Sequence, residues 1–200
     1  MKALSVALAI FAACAVYAWA SDDTDPGGQT LQAGQAAADA LRDEAATDGA
    51  FMAAGLLKET VNSDNLASAL EFPSDEVAIV QLKGAQIKQA FERSLSLFPH
   101  PNSSTLHMSS GFEVTYKAAA DPGSRVVAVT LNGSKLDDGK DYEIAMPAQL
   151  ARGGLGYFKI WDKTKIVRWL QNKAHKNRTV EEVLNGKKVA TTKSRWIAQP

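Results

Sequence analysis

L-E-F-P-S-D-E-V-A-I-V-Q-L-K-G-A-Q-I-K-Q-A-F-E, Leu70 to Glu92, reads as a turn, a strand and a helix in direct succession. Phe72-Pro73 stops the short apolar segment before it. Glu76 to Leu82 is β-branched and apolar, the pattern of a strand. Gly84 opens a helix over Ala85 to Leu97, in which Ile87, Phe91, Leu95 and Phe98 recur at helical spacing and form a buried stripe. Pro99 and Pro101 end it.

Working outward, Thr30 to Ala46 is alanine-rich, with Leu31, Ala38 and Leu41 near helical spacing, and predicts a helix capped by Thr30 that stops before Asp48-Gly49. Ala50 to Leu57 is a short strand or turn. Ser63 to Leu70 predicts a short helix with Ser63 as N-cap. From Thr105 the period becomes two. Phe112, Val114 and Tyr116 alternate with polar residues, as do Val127, Val129 and Leu131, with Arg125 and Thr130 expected on the other, polar face. Asn132-Gly133 signals a hairpin and Asp137 to Lys140 a second turn. Tyr142 to Met146 is a strand, and strand is expected again around Phe158 to Ile160. Ile166 to Leu170 fits helix or strand. Thr179 to Leu184 is a short helix with Glu182 at the capping-box position, and Arg195 to Ala198 reads as a last strand. Helix and strand alternate early and strands dominate later, so the expected class is α/β (α+β), a layered sandwich with no internal repeat.

The 200 residues carry 22 basic and 22 acidic side chains. That balance argues against nucleic acid as a partner, because phosphate binding needs a basic surface. Residues 1–20 combine Lys2, an apolar run and Ala18-Trp19-Ala20, the pattern of a signal peptide cut after Ala20. An uncleaved anchor is the alternative. Either cleaved export or a periplasmic location follows from the first reading, with 21–29 as a flexible leader and 30–200 as one domain. The mature chain then has no transmembrane span. Cys14 is the single cysteine. A lipoprotein attached there is a minority reading, and a chain starting at Ser21 has no thiol for disulfides, thiolate metal sites or nucleophilic catalysis. Ser109 or Ser110 with His107 lacks the elbow motif of a serine hydrolase. The lysines and arginines between Lys163 and Lys193 read as a solvated face, with an anionic partner surface as the alternative.

A second stretch, Ala148 to Asp162, packs Gly153, Gly154 and Gly156 against an aromatic cluster of Tyr157, Phe158 and Trp161. Dense glycines permit positive φ or close approach of a ligand. Two readings stand: rings that face a flat ligand, or a tight turn leading to rings in the core.

Four segments in order resemble the C-terminal, substrate-binding domain of the 5′-nucleotidase family. Leu70 to Glu92 is similar to its PF-x-N turn, strand, glycine turn and helix. Ser110 to Tyr116 is similar to its SG-(L/I)-x-x-x-Y strand, Pro122 to Gly133 to its GSRV…NG hairpin, and Tyr142 to Asp162 to its strand and GGDGY loop. The resemblance covers about Leu31 to Trp196. It implies mixed sheets covered by helices and a nucleoside or nucleotide ligand.

The resemblance also assigns residues. The family's NGGG-x-R run falls on Ala53 to Lys58, so Asn is replaced by Ala53 and Arg by Lys58, which keeps charge but not a bidentate grip. The two aromatics that clamp the base fall on Leu106 and Tyr157. The Asp of GGDGY is Leu155, and the ribose-binding Asp matches Asp162. Candidate substrate-binding residues are therefore Tyr157, Asp162, Lys58, Leu106, Gly153 and Gly154, with no catalytic and no metal-binding residue. The family places two divalent metals in an N-terminal metallophosphatase domain. His100, His107 and His175 lie in none of its ligand motifs, so no cofactor is expected in this chain and no autonomous hydrolysis. The expected function is a stand-alone binding domain for a nucleoside-like ligand, or the substrate-binding part of a split hydrolase with a separate metallophosphatase chain. The alternative is an inert envelope protein that keeps the fold as an interaction module.

Overall fold

A computed structural model describes residues 25–100 and 102–200. The expected signal peptide, Cys14, residues 21–24 of the expected leader and Pro101 lie outside the described residues.

Helix α1 (Leu31–Ala45) ends where Ala46 turns left-handed at φ 50°. It leads to β1 (Gly49–Ala53), buried along its whole length. The segment before the quoted strand is a single 3-10 turn, Leu66–Ala69, entered from Asn65 and not from Ser63. Strand β2 (Val77–Lys83) runs without a loop into α2 (Gly84–Ser94). Gly84 is required there, because a Cβ at that position would lie 2.0 Å from the Asp137 carbonyl oxygen. The helix stops three residues before Leu97. Ser94 Oγ bonds back to the Ala90 carbonyl (3.1 Å) and the chain turns away. Next come β3 (Leu106–Met108), β4 (Phe112–Lys117), β5 (Val126–Leu131) and β6 (Ser134–Lys135), the last two joined by Asn132-Gly133 with both residues at positive φ. Strand β7 (Asp141–Pro147) passes into α3 (Ala148–Ala151). Strand β8 (Ile166–Trp169), α4 (Val180–Leu184) and β9 (Trp196–Gln199) complete the chain. In α4 the Thr179–Glu182 capping box is formed in both directions.

The strands make two sheets. One has the order β3-β1-β7-β2-β8 and the other β6-β5-β4-β9. Each is mixed, since β1 pairs with β7 in parallel and β4 with β9 in parallel, while the other pairings are antiparallel. Helix α1 covers one face of the five-stranded sheet. Helix α2 and the four-stranded sheet pack on its other face. The α/β sandwich of mixed sheets expected from the sequence is the architecture found.

Three expectations for the second half of the chain also differ. Val127 is 48% exposed, because a bulge between Thr115 and Tyr116 pairs those residues with Ala128 and Val126 and leaves Val127 as the extra residue. Arg125 is buried, not solvent-facing. Its guanidinium donates to the Leu95, Phe98 (2.8 Å) and Ala120 (2.9 Å) carbonyls, and so closes the carbonyl end of α2. Residues 158–160 are not a strand. Positive φ at Leu155 (56°) and Gly156 (86°) winds Gly154–Lys159 into 3-10 turns.

His107 is enclosed between β3 and α1, where a Cβ on Gly34 would meet its ring. Its Nε2 lies 2.8 Å from Thr30 Oγ1 and its Nδ1 has no partner; Thr30 sits with helical φ and ψ at the end of a 3-10 turn and makes no side-chain cap bond to α1. Burial lowers its pKa to about 3, so the ring stays neutral in the fold. The unfolded chain binds a proton near pH 6.5 that the fold excludes. This contribution to stability is complete above that pH and is lost as pH falls toward 3. Between about pH 7 and pH 5 the wild type should lose roughly 2 kcal/mol of unfolding free energy through this residue, an increment that His107→Leu should abolish in urea titrations. Equal pH slopes for the two proteins would contradict it.

Candidate functional site

The turn Phe72 to Glu76 and the chain after β7 are tied together. Ala148 N donates to the Glu76 carbonyl (2.8 Å) and Gln149 N to Asp75 Oδ2 (2.9 Å). Past α3 the chain must reverse sharply, and Gly153 takes φ 87° to do so. A Cβ there would stand 2.7 Å from Phe158 Cα, and one on Gly154 2.6 Å from the Gln149 carbonyl oxygen, so both positions admit only glycine without rearrangement. The two segments enclose an open groove of about 600 Å³, walled by Phe72, Asp75, Gln149, Arg152, Gly153 and Gly154. That volume falls within the range of small-molecule sites.

Phe72 is half exposed, an aromatic face available beside a glycine backbone. Arg152 lies over the Trp169 ring, 5.6 Å from its centroid. Partial burial raises the pKa of Asp75 against the lowering effect of the Gln149 and Glu76 amides and of Arg152.

The sequence candidates fall into three groups. Gly153 and Gly154 line the groove. Tyr157 and Leu106 are wholly buried, and neither offers a face to a ligand in this structure. The Tyr157 ring stacks on Trp161 (4.6 Å, 13°), and its hydroxyl donates to the Ser104 carbonyl (2.5 Å) and lies 3.0 Å from Ser94 Oγ. Burial drives its pKa upward, which keeps the phenol protonated. Of the two readings of the glycine stretch, the turn with Tyr157 and Trp161 in the core is the arrangement found, although Phe158 stays exposed. Lys58 and Asp162 form the third group. Both are exposed and neither lines the groove. Asp162 accepts from Thr164 Oγ1 (2.5 Å) and Thr164 N (2.8 Å), which holds its carboxyl below the usual range and caps the turn Lys163–Lys165.

The Ala53 to Lys58 run does meet the glycine loop. Gly55 N donates to the Ser103 carbonyl, and a Cβ on Gly55 would touch the Leu155 side chain at 3.3 Å. Leu155 thus fills the place where the two runs converge. Phe72, Asp75 and Arg152 escaped the sequence reading. The available signal was Phe72-Pro73, an aromatic in a turn, read only as a helix stop. Ser109 and Ser110 are engaged with Ala50, Asp39 and Arg42, and no nucleophile–base pair forms with His107. Among the described residues no three His, Cys, Asp or Glu side chains gather to hold a metal.

With the fold and groove in place, comparison with known proteins defines the class. The profile of the family described as 5′-nucleotidase, C-terminal domain, matches residues 16–162. The chain belongs to that family. Snake venom 5′-nucleotidase of Macrovipera lebetinus is 33% identical over 105 residues, 48% of this chain and 25% of that protein. Human 5′-nucleotidase is 32% identical over 112 residues, 52% of this chain and 19% of that protein. The chain therefore corresponds to about a quarter or less of these relatives. The 5′-nucleotidase precursor of Thermus thermophilus shares the fold with a TM-score of 0.65 at 20% identity, over 87% of this chain and 38% of that one. No helix among the described residues is long and apolar enough to cross a membrane.

Tyr157→Phe removes a hydroxyl shared by two buried partners. It should cost about 1–2 kcal/mol of stability, read from urea denaturation, while nucleoside affinity stays unchanged. A loss of affinity at constant stability would show that the Tyr157 hydroxyl contacts ligand.

Proposed function

We propose that this domain binds a nucleoside or nucleotide in the groove between Phe72 and the Gly153-Gly154 turn. The observation that carries this reading is the coincidence, in one open groove, of an exposed aromatic ring, a close-approach glycine backbone and the Asp75 and Arg152 side chains. A flat heterocycle on Phe72 gains stacking worth about 1 kcal/mol or more beyond its buried area. The glycines let its edge come near the main chain, and Arg152 supplies a planar cation toward a phosphate or a base. Asp162 and Lys58, outside the groove, remain candidates for contacts to the more distal parts of a nucleotide.

The hydrolytic step belongs to a metallophosphatase unit, with this domain as its substrate-binding part. That unit acts from a separate chain in this reading, and the apolar, alanine-terminated segment at 1–20 supports export of the domain. A second reading, an inert module that keeps the fold, draws on the burial of Tyr157 and Leu106, the two positions aligned with the family's base clamp.

Thermal unfolding with millimolar adenosine, AMP, guanosine and UDP-glucose separates the two. A ligand that binds only the folded state raises Tm, by the equivalent of about 2.7 kcal/mol at a hundredfold excess over Kd. At least one of these compounds should raise it, and Phe72→Ala should abolish the rise without lowering the unliganded Tm by more than a few degrees. No rise with any of them supports the inert module.

A further inference from the structure

The groove contains a second feature besides its aromatic face, a carboxylate held in one orientation. Asp75 Oδ1 accepts from Glu76 N (3.1 Å) and Oδ2 from Gln149 N (2.9 Å). Both donors are backbone amides, so the carboxylate cannot swing. Each oxygen has accepted one hydrogen bond and keeps capacity for another, because an ionised carboxylate offers about four acceptor sites. Among the described residues Asp75 forms no ion pair. Arg152, the nearby cation, is held over Trp169 instead. The groove is therefore lined by a carboxylate anchored through both oxygens, with acceptor capacity to spare, and by an exposed ring on which a base can stack.

We propose that the base taken by this groove is a 2-amino-6-oxopurine, guanine, read by Asp75. This rests on the nucleoside-binding reading above. Guanine carries two adjacent donors, N1–H and the 2-amino N–H, on one edge, at the spacing of the two carboxylate oxygens. Adenine turns the N1 lone pair toward the same acceptors, which repels them. Hypoxanthine keeps N1–H alone and makes one bond of the two. Hydrogen bonds to a charged partner are stronger than those between neutral groups, so the rank order is guanine, then hypoxanthine, then adenine.

Calorimetric titration of the full chain with guanosine, inosine and adenosine tests this. Guanosine should bind at least about tenfold tighter than adenosine, with inosine between them. Asp75→Asn replaces one acceptor with a donor, so it should weaken guanosine and favour xanthosine, whose edge pairs N1–H with a carbonyl. The order of the three nucleosides on the wild type does not depend on how the variant folds. Adenosine binding as tightly as guanosine would overturn the assignment and leave the groove as a nucleoside site. A guanosine preference that survives Asp75→Asn would also overturn it. No binding by any nucleoside would overturn both this assignment and the reading beneath it.

Discussion

Phe91 is where the two sheets become one molecule. Its ring meets Phe51 of the five-stranded sheet at 5.5 Å and Phe112 and Trp196 of the four-stranded sheet at 5.8 and 5.6 Å, each edge-on. Such pairs contribute about 0.5–1.5 kcal/mol apiece beyond the area they bury. The ring can reach all three only because α2 starts at once from β2, and that start depends on Gly84 passing under the Asp137 carbonyl. Glu92 and Arg125 fix the same helix from the side of the four-stranded sheet. Glu92 accepts from the Arg125 and Val126 amides, and Arg125 closes the carbonyls that follow the helix.

The groove inherits this arrangement through the last residue of α2. Ser94 Oγ accepts from Leu106 N and stands 3.0 Å from the Tyr157 hydroxyl. Tyr157 in turn stacks on Trp161, whose indole N–H donates to the Leu150 carbonyl. The glycine reversal at Gly153 is therefore pinned from the core side by buried rings, and its other side is open to solvent. In this chain Tyr157 positions the loop, and the groups that line the open groove include Phe72, Asp75, Arg152 and the glycine backbone.

The strand–helix unit around Phe91 was legible because local periodicity and burial agree there. The Thr179 cap and the Asn132-Gly133 hairpin were legible because each is set by two or three adjacent residues. What failed depends on partners distant in sequence. Val127 has a strand's alternation, but a bulge against Thr115 and Tyr116 turns it outward. Arg125 looks like an exposed strand residue until the end of α2 arrives beside it. Tyr157 reads as a free ring until its hydroxyl finds the Ser104 carbonyl. Phe158 was assigned to a strand because positive φ at Leu155, a residue with a branched side chain, is not foreseeable from its type. Phe72 was hidden by its own clarity as a turn, since a residue that ends a helix can also stand exposed at a groove.

The central claim is that ligand chemistry sits at the Phe72–Gly154 groove while the Tyr157–Leu106 side is sealed core. Amide chemical-shift mapping during titration with guanosine monophosphate tests it most directly. Perturbations should concentrate at Phe72, Asp75, Arg152, Gly153 and Gly154. Perturbations centred on Leu106 and Gly55, with the Phe72 turn unmoved, would contradict it.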